Sequence, residues 1–391
     1  MEFKLHVRSF KSIREAQLDI KPVTLLVGPP GSGKSNTLEA LGFLTYLAYG
    51  GDPSSYFRWS SLSSLSYMMV EPQSLIEIDA GRSRLTVELK FNPDRLDVLV
   101  KRDEATPFSI NYNYQGYPTG WSIQAADSSI LYSLLRVRFY RFTRAYELSR
   151  LGALRFRAGV SRGFVIERIQ ERSGELYDSI VKSTLLPPHG DNLVTLFQYN
   201  KEIADIVVSV LTGLVGCDDV VLTLTPSPGG PPLRVISLIR RIGESGERIT
   251  VSIPLELISE GILQYLITLI SLNVKPPEDI PRLLPDIVLL EEPEIHMFPY
   301  LIDNMVKDLL RAAEDGVYTV ISTHNPYLLV RSIEKIPEDK LAVYYTYHSK
   351  ARESTSYIKL LHEDLEEMLE EEYASLYTIE DLLEKRGVRF D

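Results

Sequence analysis

Cysteine is almost missing from this chain: Cys217 is the single one in 391 residues. One thiol cannot close an internal disulfide or build a thiolate metal cluster. A reducing, cytoplasmic setting is therefore expected, with Cys217 as a small buried hydrophobe. Long apolar runs are missing too. Val207 to Val221 is broken by Gly213, Gly216, Asp218 and Asp219, and no stretch reaches the roughly 20 residues that span a bilayer. The N-terminus lacks a signal-peptide pattern, so no membrane role is expected. There is no fixed-period repeat, no low-complexity tract and no long heptad run. Positive charge is in deficit, 42 Lys and Arg against 53 Asp and Glu, for a net charge of −11. That excludes a general polycation but not a local basic footprint. One such stripe runs from Arg136 to Arg172 with ten arginines, while Glu363 to Glu372 is strongly acidic. The stripe is a candidate phosphate-backbone contact for DNA; ion pairing with the acidic last third is the alternative.

What is present centres on Gly28-Pro29-Pro30-Gly31-Ser32-Gly33-Lys34-Ser35-Asn36. This fits G-x-x-x-x-G-K-[ST]. The apolar run Val23 to Val27 precedes it as a buried strand, and Thr37 to Leu41 opens a helix behind it, which is the context the motif requires. Glycines let the backbone curl round a phosphate, and amide N–H groups at the helix start face the anion. Lys34 is expected on the β- and γ-phosphates of ATP, and the Ser35 hydroxyl on Mg²⁺.

Two later strands end in polar residues. Ile287-Val288-Leu289-Leu290 runs into Glu291-Glu292-Pro293-Glu294. Ligands of α/β sheets bind at the carboxyl ends of strands, so Glu291 is assigned to the metal and Glu292 to the attacking water. Thr319 to Ser322 runs into Thr323-His324-Asn325-Pro326, with helical period between. The strand–helix–strand unit predicts parallel strands. His324 then lies at the edge occupied by Glu292, where it can bond the γ-phosphate and polarise the water. A fourth segment, Ser259-Glu260-Gly261, opens a helix and offers an anion-binding N-terminus; by spacing alone an ordinary helix cap is the favoured reading.

The remaining pattern predicts an α/β P-loop NTPase: a mixed central sheet, an antiparallel β-subdomain and a helical insertion. Phe3 to Ile20 alternates as two strands in a hairpin. Leu75 to about Ile123 reads as an antiparallel meander, and residues 190–215 as a helix, with Asp191 or Asn192 as its cap. Boundaries are expected at 1–130 (N-terminal ATPase lobe), 131–220 (Arg-rich segment and helical insertion), 221–335 (C-terminal ATPase lobe) and 336–391 (acidic extension).

These segments together resemble the ABC-type ATPase heads of the SMC/RecF/OLD group. The N-terminal Val7-Arg8-Ser9-Phe10-Lys11-Ser12-Ile13 shares that likeness, and Glu291 to His296 with Ser322 to Leu329 look most like the OLD-like archaeal and bacterial "AAA" ATPases. The likeness covers about 100 N-terminal residues and residues 255–330. It implies nucleotide contacts from Lys11 and Ser12. It also implies that Ser259 and Gly261 act in trans, so that two heads dock head to tail on ATP as a homodimer. Glu294 and His296 would then face the partner. Three features depart from the group: Glu291 stands where Asp is usual, the signature lacks a second glycine, and no Q-loop glutamine is visible, its place falling near Arg141-Phe142-Thr143. The tail after His324 is too short for a TOPRIM-type nuclease domain, so an effector is expected as a separate chain. The resulting expectation is an ATP-gated dimer acting on DNA in repair, recombination or defence. The alternative is a regulatory ATPase controlling a separate nuclease or toxin.

Overall fold

Opposite faces of one mostly parallel sheet bury alternate residues, and this places the site. The computed structural model describes residues 3–51, 53–58, 62–81, 83–103, 107–113, 118–123, 128–141, 165, 169, 173–225, 233–242, 247–370 and 378–390. In chain order the first strands and helices are β1 (Phe3–Phe10), β2 (Ile13–Ile20), β3 (Val23–Val27) and α1 (Lys34–Tyr49). Then come β4 (Gln73–Asp79), β5 (Arg84–Phe91), β6 (Arg95–Arg102), β7 (Phe108–Asn113), β8 (Pro118–Ile123), α2 (Ser128–Ser133) and β9 (Val137–Arg141). The middle holds α3 (Gly174–Ser183), α4 (Leu193–Tyr199), α5 (Lys201–Val215), β10 (Asp219–Thr225), β11 (Leu233–Ile242), β12 (Glu247–Pro254) and α6 (Glu260–Asn273). The last third holds β13 (Asp286–Glu291), α7 (Pro299–Glu314), β14 (Val317–Thr323), α8 (Pro326–Lys335), β15 (Leu341–Ser349), β16 (Ser354–Lys359), α9 (His362–Glu370) and α10 (Thr378–Lys385).

The central sheet has the order β16-β15-β3-β14-β13-β9. All its pairs are parallel except β15 with β16. Leu26, Ile287, Leu289 and Val320 face one core, which holds α1 and the apolar sides of β4 to β7. Val23, Leu25, Val288, Leu290 and Ile321 face the other, against α6, α7 and α8. Each fully buried aliphatic side chain contributes about 1.5–3 kcal/mol, and strands covered on both faces read as continuous apolar runs.

The hairpin and meander join as one seven-stranded antiparallel sheet, β2-β1-β4-β5-β6-β7-β8. Strands β10 to β12 form a separate three-stranded sheet. Three details differ from expectation. The insertion is two helices, interrupted at Asn200, whose Oδ1 accepts from the Ile203 N–H at 3.2 Å and restarts the chain as α5. Asn192 holds the N-cap position of α4 but its side chain makes no cap bond; its Oδ1 accepts from the Leu186 N–H at 2.8 Å. Residues 336–391 are more than an acidic extension, since β15 lies directly against β3. Cys217 is half-buried. No described helix is long and apolar enough to cross a membrane.

Candidate nucleotide site

Strand register gathers the polar residues at one edge. Glu291 is level with Ser322 on β14 and with Arg141 on β9, while Thr323 is level with Val27 on β3. The phosphate loop, the Glu291–Glu292 pair, His324 and Arg141 therefore all leave the sheet at the carboxyl ends of parallel strands, where the topology opens a crevice.

The loop from Gly28 to Gly33 has Pro29, Pro30 and Gly31 exposed and Ser32 buried. Gly33 has φ +102°, and a Cβ there would stand 2.0 Å from Thr355 Oγ1, so only glycine fits. The Lys34 ammonium donates to the carbonyls of Gly28 (2.7 Å) and Pro29 (2.9 Å). Burial lowers its pKa, against the pull of Glu292 and Glu294. Lys11 and Ser12 serve the loop from the side. The Lys11 ammonium pairs with Glu39 and donates to the Arg58 carbonyl at 2.9 Å. Ser12 Oγ accepts from Asn36 Nδ2 and bonds Thr355 Oγ1, both at 2.6 Å.

Glu291 is buried between two guanidiniums, Arg141 Nε on Oε2 and Arg58 Nη2 on Oε1 at 2.9 Å. Arg141 also pairs with Glu39, which no solvent reaches. Lys11, Arg58 and Arg141 thus surround two carboxylates. Burial alone would raise the Glu291 pKa; Arg141, then Arg58 and a hydrogen bond from Ser35, hold it below the usual range. The Ser35–Glu291 bond brings together the two groups expected at the metal. Both supply hard oxygen, and no cluster of three or more His, Cys, Asp or Glu suited to a metal occurs among the described residues. Two protein oxygens completed by phosphate and water suit Mg²⁺.

Glu292 turns the other way. It takes φ +47°, unusual for a non-glycine residue, and its N–H donates to the Ser322 carbonyl at 2.9 Å. Its Oε1 lies 3.1 Å from His324 Nδ1. Glu294, expected to face a partner, is corrected: it is 3% exposed and accepts from Thr323 Oγ1. Burial raises its pKa to about 7, with Glu292 adding to the rise. Gly261, expected on nucleotide across an interface, is buried within the head, and a Cβ there would meet the His296 carbonyl oxygen at 2.2 Å, so this close approach requires glycine. Ser259 is exposed at the start of α6, and its hydroxyl makes no cap bond. His296 Nε2 lies 3.3 Å from Glu260 Oε2, tying this helix start to the turn after Glu292.

The arginine stripe is corrected where it is described. Arg136 holds Asp286 at 3.0 Å and the Ile280 carbonyl at 2.7 Å, and Arg138 donates to the Val274 carbonyl at 2.6 Å. Both are buried, like Arg141. Arg144, Arg150, Arg155, Arg157, Arg162, Arg168 and Arg172 lie outside the described residues, as do Phe142 and Thr143. Sequence reasoning missed Glu39 and Arg58. An acid inside the otherwise apolar run Leu38 to Leu41 was the available signal for Glu39; Arg58 carried none.

Residues 218–330 match the family described as "AAA domain, putative AbiEii toxin, Type IV TA system", and residues 4–105 match one described as "AAA domain". No curated protein matches. A crystal structure of an SMC head bound to the C-winged helix domain of ScpA has a similar fold. Its TM-score is 0.53 at 12% identity, over 93% of this chain and 98% of that one. An SMC head with an extended coiled coil, bound to the C-terminal domain of ScpA derived from Pyrococcus furiosus, gives 0.50 at 13% identity, over 94% and 98%. The chain therefore has the fold of SMC head domains, and two stretches of it, which hold the phosphate loop and the paired glutamates, match AAA-domain families.

Proposed function

We propose that this head hydrolyses Mg²⁺-bound ATP, that ATP docks two copies head to tail, and that the docked state controls a separate protein. The hydrolytic reading is carried by the Glu292–His324 contact of 3.1 Å at the strand edge beside the phosphate loop. Glu292 takes the proton of the attacking water, and His324 fixes the carboxylate and reaches the phosphate. Lys34 and the loop amides bind the phosphates. Ser35 and Glu291 would hold Mg²⁺, which when bound offsets charge on the phosphate oxygens. The exposed hydroxyl of Ser259 supports closure of the site by a second copy.

The choice of a protein partner rests on three observations. The described arginines of the stripe are buried, the matched family is described by a toxin–antitoxin system, and the SMC heads of similar fold are bound to ScpA domains. Direct action on DNA is the second reading and rests on arginines outside the described residues.

Glu292→Gln tests the core of this. Turnover is expected to fall by about 10²–10⁴-fold with ATP binding retained, and the variant is expected to run as a dimer with Mg-ATP in light scattering. Retained turnover defeats Glu292 as base; a monomer at saturating Mg-ATP defeats docking.

A further inference from the structure

Arg58 is pinned by its backbone and loose at its tip. Its N–H donates to Glu39 Oε1 at 3.2 Å, and its carbonyl accepts from Lys11 Nζ at 2.9 Å. Its side chain is 66% exposed, yet Nη2 reaches Oε1 of the buried Glu291 at 2.9 Å. Arg141 on the other oxygen is the opposite case. It is buried, paired a second time with Glu39, and its guanidinium lies 5.3 Å from the Phe139 ring centroid. One carboxylate thus carries a locked guanidinium and one that can leave by side-chain rotation alone. Room lies beside it in a cavity of about 580 Å³ bordered by Lys11, Asn36, Ser64 and Ser66.

We propose that Arg58 is an exchangeable counter-ion of Glu291: it covers Oε1 in the metal-free head and gives that oxygen up when the nucleotide-bound metal seats. This rests on the reading of Glu291 and Ser35 as metal ligands. Two positive charges cannot share one carboxylate oxygen at contact distance without strong repulsion, so Arg58 and the metal compete. Arg141 remains in either state and keeps the buried carboxylate compensated. Metal affinity is then set partly by an arginine that makes no contribution to the metal's shell. A partner that draws Arg58 away would tighten metal binding from outside the site.

The test is direct metal binding, read by Mn²⁺ electron paramagnetic resonance at a saturating, non-hydrolysable ATP analogue. Arg58→Ala is expected to bind Mn²⁺ about fivefold more tightly than wild type, the scale of one partly exposed ion pair. Arg58→Gln should tighten it less and serves as a second variant that keeps a donor. Arg58→Lys, which keeps the charge, should stay near wild type. Unchanged or weaker Mn²⁺ binding in both neutral variants overturns the proposal. So does a loss of metal-free nucleotide affinity with Mn²⁺ affinity unchanged, which would make Arg58 a phosphate ligand. Glu291→Gln and Ser35→Ala separate the layers: both should lose Mn²⁺. If they bind it like wild type, the metal assignment itself is wrong.

Discussion

At the end of β13, Glu291 points into the protein and Glu292 out of it. Alternation along a strand explains the divergence, and the left-handed turn at Glu292 completes it. Glu291 is 4% exposed and held between Arg58 and Arg141, so it stays ionised in a place where burial would neutralise it. Glu292 is 24% exposed, has only His324 within ion-pair distance among the described residues, and sits in a backbone conformation that costs on the order of 1 kcal/mol. Strain stored at a charged, half-open residue fits a group that acts; dense compensation fits a group that holds. Glu294 makes a third case. Among the described residues nothing cationic pairs with it directly, and burial raises its pKa to about 7.

The largest stability effect should fall on the holding side. Arg141→Ala leaves Glu39 and Glu291 buried with less compensation. Breaking a buried pair in this way costs about 3–5 kcal/mol, read as a shift in the denaturant midpoint. Arg141→Lys should recover only part, because one ammonium cannot fork across two carboxylates. A cost near zero for alanine would show that Lys11 and Arg58 suffice, and the contrast between the two glutamates would lose its basis.

Next in size is Glu294→Gln, which turns on pH. The glutamate's pKa rises from its ordinary 4.5 to about 7 in the fold. Between those values the unfolded chain gives up a proton that the folded chain keeps. Stability from this group is therefore full below about pH 4.5 and is lost as pH rises through 7. The gap corresponds to about 3 kcal/mol above pH 7. Glu294→Gln should recover most of that at pH 8, leave stability at pH 4 nearly unchanged, and flatten the slope between. Chemical denaturation across that range checks it; an unaltered slope would mean Glu294 is already ionised.

Much of this arrangement could be read before any coordinates, because strands covered on both faces announce themselves as apolar runs with polar ends. Val23 to Val27, Ile287 to Leu290 and Thr319 to Ser322 gave the three central strands, and their carboxyl ends gave the loop, Glu291–Glu292 and His324. Pairing across long sequence gaps was not legible. Nothing local says that β9 lies beside β13, or that Glu39, Arg58, Arg141 and Glu291 meet from four separate segments. The arginine stripe misled for the same reason: Arg136, Arg138 and Arg141 count as surface charge in composition, yet each has its buried partner elsewhere in the chain. Gly261 carries a packing constraint that no motif displays. Its glycine answers to the His296 carbonyl, a contact between residues 35 apart that spacing cannot display.

The smallest effect belongs to the acting side and asks what holds His324 in reach of Glu292. Directly after it, Asn325 caps α8: its Oδ1 accepts from the N–H of Tyr327 at 2.9 Å and of Leu328 at 3.3 Å. Pro326 at the first helical position suits that cap, since its missing N–H would have no helical partner. Thr323, just before His324, accepts from the Asn325 N–H at 2.9 Å and donates to Glu294. His324 is thus bracketed by a strand end and a helix cap, with little freedom of its own. Asn325→Ala should cost about 1 kcal/mol and Asn325→Asp only a few tenths, measured by thermal melting. If alanine costs nothing, β14 alone fixes the backbone at His324. If it costs the expected amount, the outward-facing pair depends on a single neutral cap, where the inward-facing Glu291 depends on a cage of charge.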